Sequence, residues 1–370
     1  MQTLAANGTA SNASPDGIGT AAVIGGPIAM MVRANTLTVR DFAGLLRQID
    51  RTSTVVTTLT GSRALGTGQA EGSSVSARLR SGYGVTGAPN GGFIVADDIA
   101  LRLVSAAGAV RTIANGFGAT PQGVGTLTQI SLGLGVNSIQ GVAVDPAGNV
   151  VIADGDRRMV RRISPTGVVT LAGGLASGQS NSVDGVGSEA QFIRVGRIVS
   201  DSAGVVFATD NFSVRRIWTD NAVTLLAGSP TEFGAVDGSA TTARCNGNIF
   251  NNRTGLALGP GGNLFMGDAG NAAVRRIAPD GASVSTLPVP VVSGRTGSIA
   301  VDAAGTVYHG TAQGLTVLPA GGVPSILIPQ GPAIMLGASP QLLNLEGIAI
   351  LGSRQLVILS GGQVLVATMP

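Results

Sequence analysis

The sequence predicts an all-β protein, a seven-bladed β-propeller made of four-stranded antiparallel blades. Three observations support this prediction. A unit of 56 to 58 residues recurs through the first five copies, and two shorter copies follow. Each unit reads as four short strands separated by turns. The 370 residues include 57 glycines and only 12% charged residues, a composition that suits many short strands joined by glycine turns.

The repeat is clearest in the segment GVAVDPAGNVVIADGDRRMVRRISPTGVVTLAGG, at 141–174. Its strands are GVAVD, VVIAD, MVRRIS and VVTLAG. The DPAGN and PTG turns between them combine proline, which presets φ, with glycine, which tolerates positive φ. The VVIAD strand is apolar on both faces, as a strand packed between two sheets must be. One propeller is expected over 1–370, with repeats near the following ranges: 28–61, 84–116, 141–174, 197–228, 255–287, 298–328 and 347–370.

The two chain ends predict how the propeller closes. The seventh copy, GIAILGSRQLVILSGGQVLVATMP, has three strands and lacks the fourth. Residues 1–8 read MQTLAANG and match the fourth strand of other copies, such as VVTLAGG. We therefore expect residues 1–8 to be the outer strand of the last blade, with a six-bladed arrangement as the alternative.

The repeated motifs TLAGG, VDGVGSEAQF, GVAVDPAGNVVIAD and VRRI resemble those of bacterial NHL-repeat proteins. The resemblance covers nearly the whole chain and implies a propeller. It also favours a periplasmic or secreted location. It does not choose a function, because propellers of this kind include binding, sensing, lyase and lactonase proteins.

Charge and hydropathy exclude some classes of partner. The formal net charge is only +3, and all 23 basic residues are arginines. No run of basic residues is longer than a pair, so no nucleic-acid partner is expected. No stretch approaches 18 apolar residues, so no membrane-spanning segment is expected. The first residues lack the features of a signal peptide. The chain is expected to be a monomeric propeller and, because it begins inside a repeat, part of a longer protein.

Two charged series recur within the repeats. An aspartate ends the second strand of the first five copies, and an arginine occupies their third strand. Both are absent from copies six and seven, which indicates that each aspartate caps a loop and pairs with an arginine. The predicted structural series are Asp41, Asp97, Asp154, Asp210 and Asp268, with Arg47, Arg102, Arg161, Arg215 and Arg275.

A second acidic series lies in the long connections between blades, each member followed by glycine: Asp16, Glu71, Asp184 and Asp237. Connections between blades share one face of a propeller with the loops between second and third strands. We call this the long-loop face. Long loops in compact folds are often functional, so the long-loop face and these four carboxylates are the candidate binding surface.

The sequence offers no recognisable catalytic set. His309 is the only histidine and lies within a predicted core strand, whereas histidine metal sites need several ligands. No P-loop, Ser-His-Asp set or dinucleotide fingerprint is present. The prediction therefore names no catalytic residue, no metal and no cofactor.

The favoured function is a non-catalytic binding or sensor scaffold that engages a protein, glycan or envelope ligand through the long-loop face. Two alternatives stay open. One is a metal-dependent lactonase or lyase of related propeller type. The other is an RNA-binding NHL domain, against which the small net charge and the 3% aromatic content argue.

Overall fold

The computed structural model contains seven antiparallel sheets of four or five strands, and the prediction of an all-β, seven-bladed propeller is confirmed. The structure describes residues 2–5, 15–33, 35–41, 44–61, 68, 70–74, 76–80, 84–88, 91–97, 100–115, 125–126, 139–166, 168–173, 181–246, 255–289, 298–311, 314–329, 345–351, 355–360 and 363–368.

The chain divides into two compact units, which are described separately. The first comprises Met1–Ser81, Val104–Val110 and Pro288–Pro370, and contains blades 6, 7 and 1. Blade 6 comprises β25 (Ser298–Val301), β26 (Val307–Thr311), β27 (Gly314–Leu318) and β28 (Ser325–Pro329). Blade 7 comprises β29 (Leu345–Leu351), β30 (Gln355–Ser360), β31 (Gln363–Thr368) and β1 (Gln2–Ala5). Blade 1 comprises β2 (Gly17–Ile18), β3 (Pro27–Arg33), β4 (Thr36–Asp41), β5 (Leu46–Asp50) and β6 (Val55–Thr60).

The second unit comprises Gly82–Leu103 and Arg111–Leu287 and contains blades 2 to 5. Blade 2 comprises β7 (Gly84–Gly87), β8 (Phe93–Asp97), β9 (Ala100–Val104) and β10 (Val110–Asn115). Blade 3 comprises β11 (Gly125–Thr126), β12 (Ile139–Val144), β13 (Val150–Asp154), β14 (Met159–Ile163) and β15 (Val168–Gly173). Blade 4 comprises β16 (Gly185–Val186), β17 (Val195–Ser200), β18 (Val206–Asp210), β19 (Ser213–Ile217) and β20 (Ala222–Gly228). Blade 5 comprises β21 (Leu256–Leu258), β22 (Leu264–Asp268), β23 (Ala273–Ile277) and β24 (Val284–Thr286).

Blades pack face to face within each unit. In the second unit, β12 contacts β7 on one side and β17 on the other, and β17 contacts β21. The middle strands are buried throughout: β8, β13, β18 and β22 have no exposed residue. A sheet buried on both faces needs apolar side chains on both, which explains why VVIAD and VFATD lack the alternation of a half-exposed strand. The described helices are 3₁₀ turns of three residues, and none of them is long and apolar enough to cross a membrane.

The N-terminal strand completes blade 7, as predicted. β1 pairs with β31 in antiparallel register, with Gln2 opposite Val366, Thr3 opposite Leu365 and Ala5 opposite Val364. Leu4 and Ala5 are buried in an apolar cluster that includes residues of blades 1 and 7. The described strand ends at Ala5, so residues 6–8 of the predicted segment lie outside the described residues.

Blades 1, 3 and 4 contain a fifth strand that the repeat pattern did not predict. It has two residues, belongs to the connection that precedes the blade, and pairs with the outer strand of that blade: β2 with β6, β11 with β15 and β16 with β20. Blade 5 has a single bridge at the same place, between Gly238 and Val284. An outer strand presents unpaired backbone groups, and the long connections pair with this edge.

Candidate functional site

The repeated aspartates and arginines are buried. Asp41, Asp97, Asp154, Asp210 and Asp268 each have 0% exposure, and the five arginines of the series are at most 2% exposed. A buried charge is tolerated only where it is paired and hydrogen-bonded. The contacts of these residues therefore decide what the series does.

Blade 5 shows the arrangement most completely. Arg275 Nε lies 2.7 Å from Asp268 Oδ2, and Arg275 Nη1 lies 2.6 Å from Asp237 Oδ1. The backbone N–H of Thr286, on the outer strand, donates to Asp237 Oδ2 at 3.0 Å. Asp237 therefore fixes the connection that precedes blade 5 to both the third and the fourth strand of that blade. We call this arrangement, a buried arginine between a strand aspartate and a connection aspartate, the arginine clamp.

Blade 4 repeats the arginine clamp. Arg215 lies 3.5 Å from Asp210 and 2.6 Å from Asp184, whose Oδ1 also accepts a hydrogen bond from the backbone N–H of Leu225 at 2.9 Å. Arg215 also donates to the hydroxyl of Ser182. In both blades, the aspartate of the connection joins the outer strand to the arginine.

Blade 1 has the same connection contact. Arg47 lies 2.8 Å from Asp16, and Asp16 Oδ2 accepts the backbone N–H of Thr58 at 2.9 Å. Asp41, at the end of the second strand, accepts the backbone N–H of Leu45 at 2.9 Å. The strand aspartate thus closes the loop between the second and third strands.

Blade 2 keeps the pair of strand aspartate and third-strand arginine, whereas the strand aspartate of blade 3 forms an ion pair with an arginine of the following loop. Arg102 lies 3.3 Å from Asp97, and Asp154 pairs with Arg157 at 3.7 Å. The Asp154 side chain also accepts the Arg157 backbone N–H at 3.1 Å, and the charge of Arg161 acts on the same carboxylate. Glu71 is exposed in the connection before blade 2.

The pKa values of two strand aspartates and of one connection aspartate shift in opposite directions. Burial raises the pKa of Asp210 and of Asp154, against the opposing effect of their hydrogen bonds and neighbouring arginines. The pKa of Asp237 is lowered: burial acts to raise it, but hydrogen bonds from Thr286 and the charge of Arg275 outweigh that effect. The connection aspartates are half exposed, at 48% for Asp16, 55% for Asp184 and 51% for Asp237. Each of them therefore presents one side to solvent while it holds the connection in place.

A polar cleft of about 290 Å³ opens between blades 3 and 4, within the second unit. Its lining comes from the loop after Asp154, from the connection before β17, from the loop after Asp210 and from the start of β12. By strand direction these segments belong to the long-loop face. The lining residues are Gln140, Gly155, Asp156, Arg158, Ile193, Arg194 and Asn211.

The buried Asp210 fixes one wall of this cleft. Its Oδ1 accepts the backbone N–H groups of Ile193 at 2.9 Å and Arg194 at 2.7 Å. Asn211 donates its backbone N–H to the Arg194 carbonyl at 3.1 Å and its side-chain N–H to the Pro230 carbonyl at 2.8 Å. The strand aspartate of blade 4 thus orients residues that line the cleft, in addition to contacting its arginine.

Glycine is required at the opposite wall. A Cβ at Gly155 would lie 2.5 Å from the Gln140 Cγ and 3.2 Å from the Val195 carbonyl oxygen. Arg158, at the end of the same loop, has a φ of 57°, which is unusual for a residue with a side chain. The tight loop holds the Asp156 and Arg158 backbone at the rim of the cleft.

Two phenylalanines lie in loops of the same face, and one of them follows a lining residue in sequence. The Phe212 and Phe233 ring centroids are 5.6 Å apart at an interplanar angle of 57°, a geometry that aromatic pairs prefer. Phe212 follows the lining residue Asn211, and Phe233 belongs to the connection that Asn211 contacts at Pro230. Phe233 is 67% exposed, so the pair presents an apolar surface on the long-loop face.

His309 and Cys245 are both buried. His309 lies in β26 at 1% exposure, and among the described residues neither ring nitrogen has a hydrogen-bond partner. Burial lowers the pKa of His309 to about 4, so the imidazole is neutral at pH 7. Within the part of the chain that the structure describes, no three His, Cys, Asp or Glu side chains are grouped so as to hold a metal ion.

Sequence reasoning did not find the cleft. None of its polar side chains recurs at the same position of every blade, and a repeat comparison detects only what recurs. The one available signal is indirect: four of the seven lining residues follow shortly after Asp154 or Asp210, the strand aspartates of two consecutive blades.

No protein-family model matches the sequence, and a search of curated proteins finds no match. Among solved structures, the chain is similar to a catalytically inactive variant of virginiamycin B lyase from Staphylococcus aureus, determined with quinupristin, with a TM-score of 0.62 and 13% identity over 93% of this chain and 95% of that chain. It is also similar to an auxiliary nutrient binding protein from Bacteroides ovatus, with a TM-score of 0.55 and 14% identity over 100% of this chain and 76% of that chain. At such identities the similarity shows the fold alone, and it agrees with the seven sheets in making this chain a seven-bladed β-propeller.

Proposed function

We propose that this protein is a non-catalytic binding scaffold whose long-loop face engages a glycan or protein ligand. The observation that carries the proposal is the polar cleft between blades 3 and 4; the same face also presents an exposed aromatic pair. Small-molecule sites are typically concave and place a few polar groups within a shaped wall, and this cleft offers Gln140, Arg158, Arg194 and Asn211.

The arginine clamps support this function by making the face rigid. A binding surface on loops loses affinity when the loops must be ordered on binding. Asp184 and Asp237 fix two connections of the second unit to their blades through Arg215 and Arg275. We also propose, on the repeated sequence pattern, that the blades are NHL-type repeats and that the protein acts outside the cytoplasm.

The test combines a ligand screen with a map of the binding surface. The purified protein is screened on a glycan array and by capture of envelope proteins, and each hit is mapped by hydrogen exchange. We expect protection of residues 155–158 and 193–194, and no change in the turns at 145–149 and 218–222 on the opposite face. Protection confined to those turns would refute the assignment of the face. Cleavage of a bound ligand that depends on an added divalent cation would instead support the lyase or lactonase alternative.

A matched pair of arginine variants separates the two faces. Arg194→Ala removes a lining side chain, whereas Arg276→Ala removes an exposed arginine whose Nε contacts Asn263 in a turn at the other end of blade 5. Binding of the mapped ligand should weaken at least tenfold in Arg194→Ala and stay within twofold of the parent in Arg276→Ala. Equal losses in both would contradict the proposal.

A further inference from the structure

The chemistry of the cleft and its aromatic neighbours identifies a class of ligand. We propose that the site binds an acidic sugar, a pyranose ring that carries a carboxylate, as part of an oligosaccharide. This inference rests on the proposed function, because it names the ligand of the same face.

The size of the cleft limits what can enter. A volume of about 290 Å³ is at the lower end of the roughly 300–1,000 Å³ that small-molecule sites occupy. The cleft therefore accommodates one compact polar unit, with the rest of the ligand lying over the surface. A single sugar residue of a longer chain has this form.

The lining provides hydrogen bonds of both kinds. Amides both donate and accept, guanidinium groups only donate, and an ionised carboxylate only accepts. Gln140 and Asn211 provide amides, Arg158 and Arg194 provide donors, and Asp156 provides an acceptor. Sugar hydroxyls donate and accept at once, so a hydroxylated ring can satisfy this mixture.

The charges favour an acidic ligand over a neutral one. Two arginines and one aspartate line the cleft, which gives it one net positive charge. A guanidinium binds a carboxylate with two parallel hydrogen bonds. Each guanidinium has five N–H donors, so Arg158 and Arg194 can bind a carboxylate of the sugar ring in addition to the contacts that they make within the protein.

The aromatic pair extends the site to a second sugar. Phe233 is 67% exposed and contacts Phe212, the residue after Asn211. A pyranose presents an apolar face of C–H groups that can lie on such a ring. Because Phe212 directly follows the lining residue Asn211, an oligosaccharide of at least two residues fits the cleft and this aromatic surface together.

The experiment uses the full chain and three probes in isothermal titration calorimetry. The first probe is trigalacturonic acid, the second is its fully methyl-esterified form, and the third is a hyaluronan tetrasaccharide. We expect at least one acidic sugar to bind, and the ester to bind at least tenfold more weakly than its parent. The two acidic probes distinguish galacturonic from glucuronic acid as the source of the carboxylate.

Variants place the sugar at the cleft. Arg158→Gln and Arg194→Gln should each weaken binding of the acidic probe at least tenfold, and Phe233→Ala should weaken it at least threefold. Arg276→Gln should stay within twofold of the parent. Melting curves confirm that each variant is folded, and the double variant Arg158→Gln with Arg194→Gln should bind the ester and the acid equally.

Four results would overturn the inference. They are no binding of either acidic sugar, equal binding of acid and ester by the parent, full affinity in both arginine variants, and preferential binding of an acidic peptide such as pentaglutamate. Equal binding of acid and ester, or a preference for the peptide, would leave the broader proposal standing, because that proposal is tested by the hydrogen-exchange map and by the comparison of Arg194→Ala with Arg276→Ala. The two proposals can therefore fail separately.

Discussion

Deletion of residues 1–5 tests how the propeller closes. This deletion removes β1, which pairs with β31 and covers the edge of blade 7. It also removes Leu4, which is 5% exposed and packs in a cluster with residues such as Ile24, Leu37 and Val357. The loss therefore combines an apolar contact with a set of backbone hydrogen bonds.

The magnitude follows from these two parts. Removing a buried leucine side chain costs about 2–5 kcal/mol. The register joins three residue pairs of β1 and β31, and the lost backbone bonds cost about 0.5–1.5 kcal/mol each. With about one bond per pair, the sum is about 3.5–9.5 kcal/mol, a large part of the roughly 5–15 kcal/mol stability of a typical domain. With an unfolding entropy of about 2.1 cal/mol/K per residue, this lowers the Tm of a cooperative 370-residue chain by about 5–12 °C.

The assay is differential scanning calorimetry of the parent, the deletion and Leu4→Ala. Leu4→Ala keeps the backbone pairing and should lose about half as much stability as the deletion. A synthetic peptide of residues 1–8 added to the deletion variant should restore part of the Tm, whereas a scrambled peptide should not. A deletion variant that melts within 1–2 °C of the parent would refute the reasoning, because β31 would then need no partner.

Three further predictions concern single side chains. Asp237→Ala should lower the free energy of unfolding by about 1–3 kcal/mol, because hydrogen bonds to Thr286 and Arg275 are lost. In urea titrations, the control Asp280→Ala, at an exposed aspartate, should lose less than half as much. Equal losses in the two variants would contradict the arginine clamp. His309 has a folded pKa of about 4 against an unfolded value of about 6.5. The unfolded chain therefore binds the proton more readily, and stability is lost as pH falls from 6.5 to 4. Over this range the free energy of unfolding of the parent should fall by about 3 kcal/mol more than that of His309→Met. Urea unfolding of both proteins at pH 7 and pH 4 measures this difference, and an equal fall in the two proteins would contradict the prediction. Burial raises the pKa of the Cys245 thiol to about 12, so a thiol reagent should react with it only after unfolding; rapid labelling of the native protein would be contrary to this burial.

Several features of the fold could be predicted because a short sequence segment specifies each of them and recurs in several copies. Composition alone predicts the strand VVIAD, and turn residues alone predict the turn at Asp145–Asn149. The match between MQTLAANG and the fourth strand of other copies predicted the pairing of β1 with β31, since equivalent strands occupy equivalent places in a repeat. The alternative with six blades is excluded by the seven sheets.

The two acidic series show the limit of repeat comparison. The pattern separated the strand aspartates from the connection aspartates, and treated the first as structural and the second as candidates for binding. In blades 4 and 5 the structure joins them at one arginine: Asp210 and Asp184 both contact Arg215, while Asp268 and Asp237 both contact Arg275. The two aspartates of a blade lie about 30 positions apart in sequence, and no sequence pattern indicates that both contact the same arginine. Whether the exposed side of the connection aspartates also meets a ligand remains a prediction.

The sequence by itself determined the fold class, the number of blades and the strand that completes blade 7, because periodicity and turn residues act over a few neighbouring positions. Only the tertiary structure decided what the long connections do and where a ligand could enter. The edge pairing of β2 and β16 depends on which backbone groups the blade leaves unpaired. The cleft depends on two loops about 55 residues apart, at Asp156 and Asn211, being brought together by packing of β12 against β17. Such a site belongs to no single repeat, and so it leaves no repeated signal.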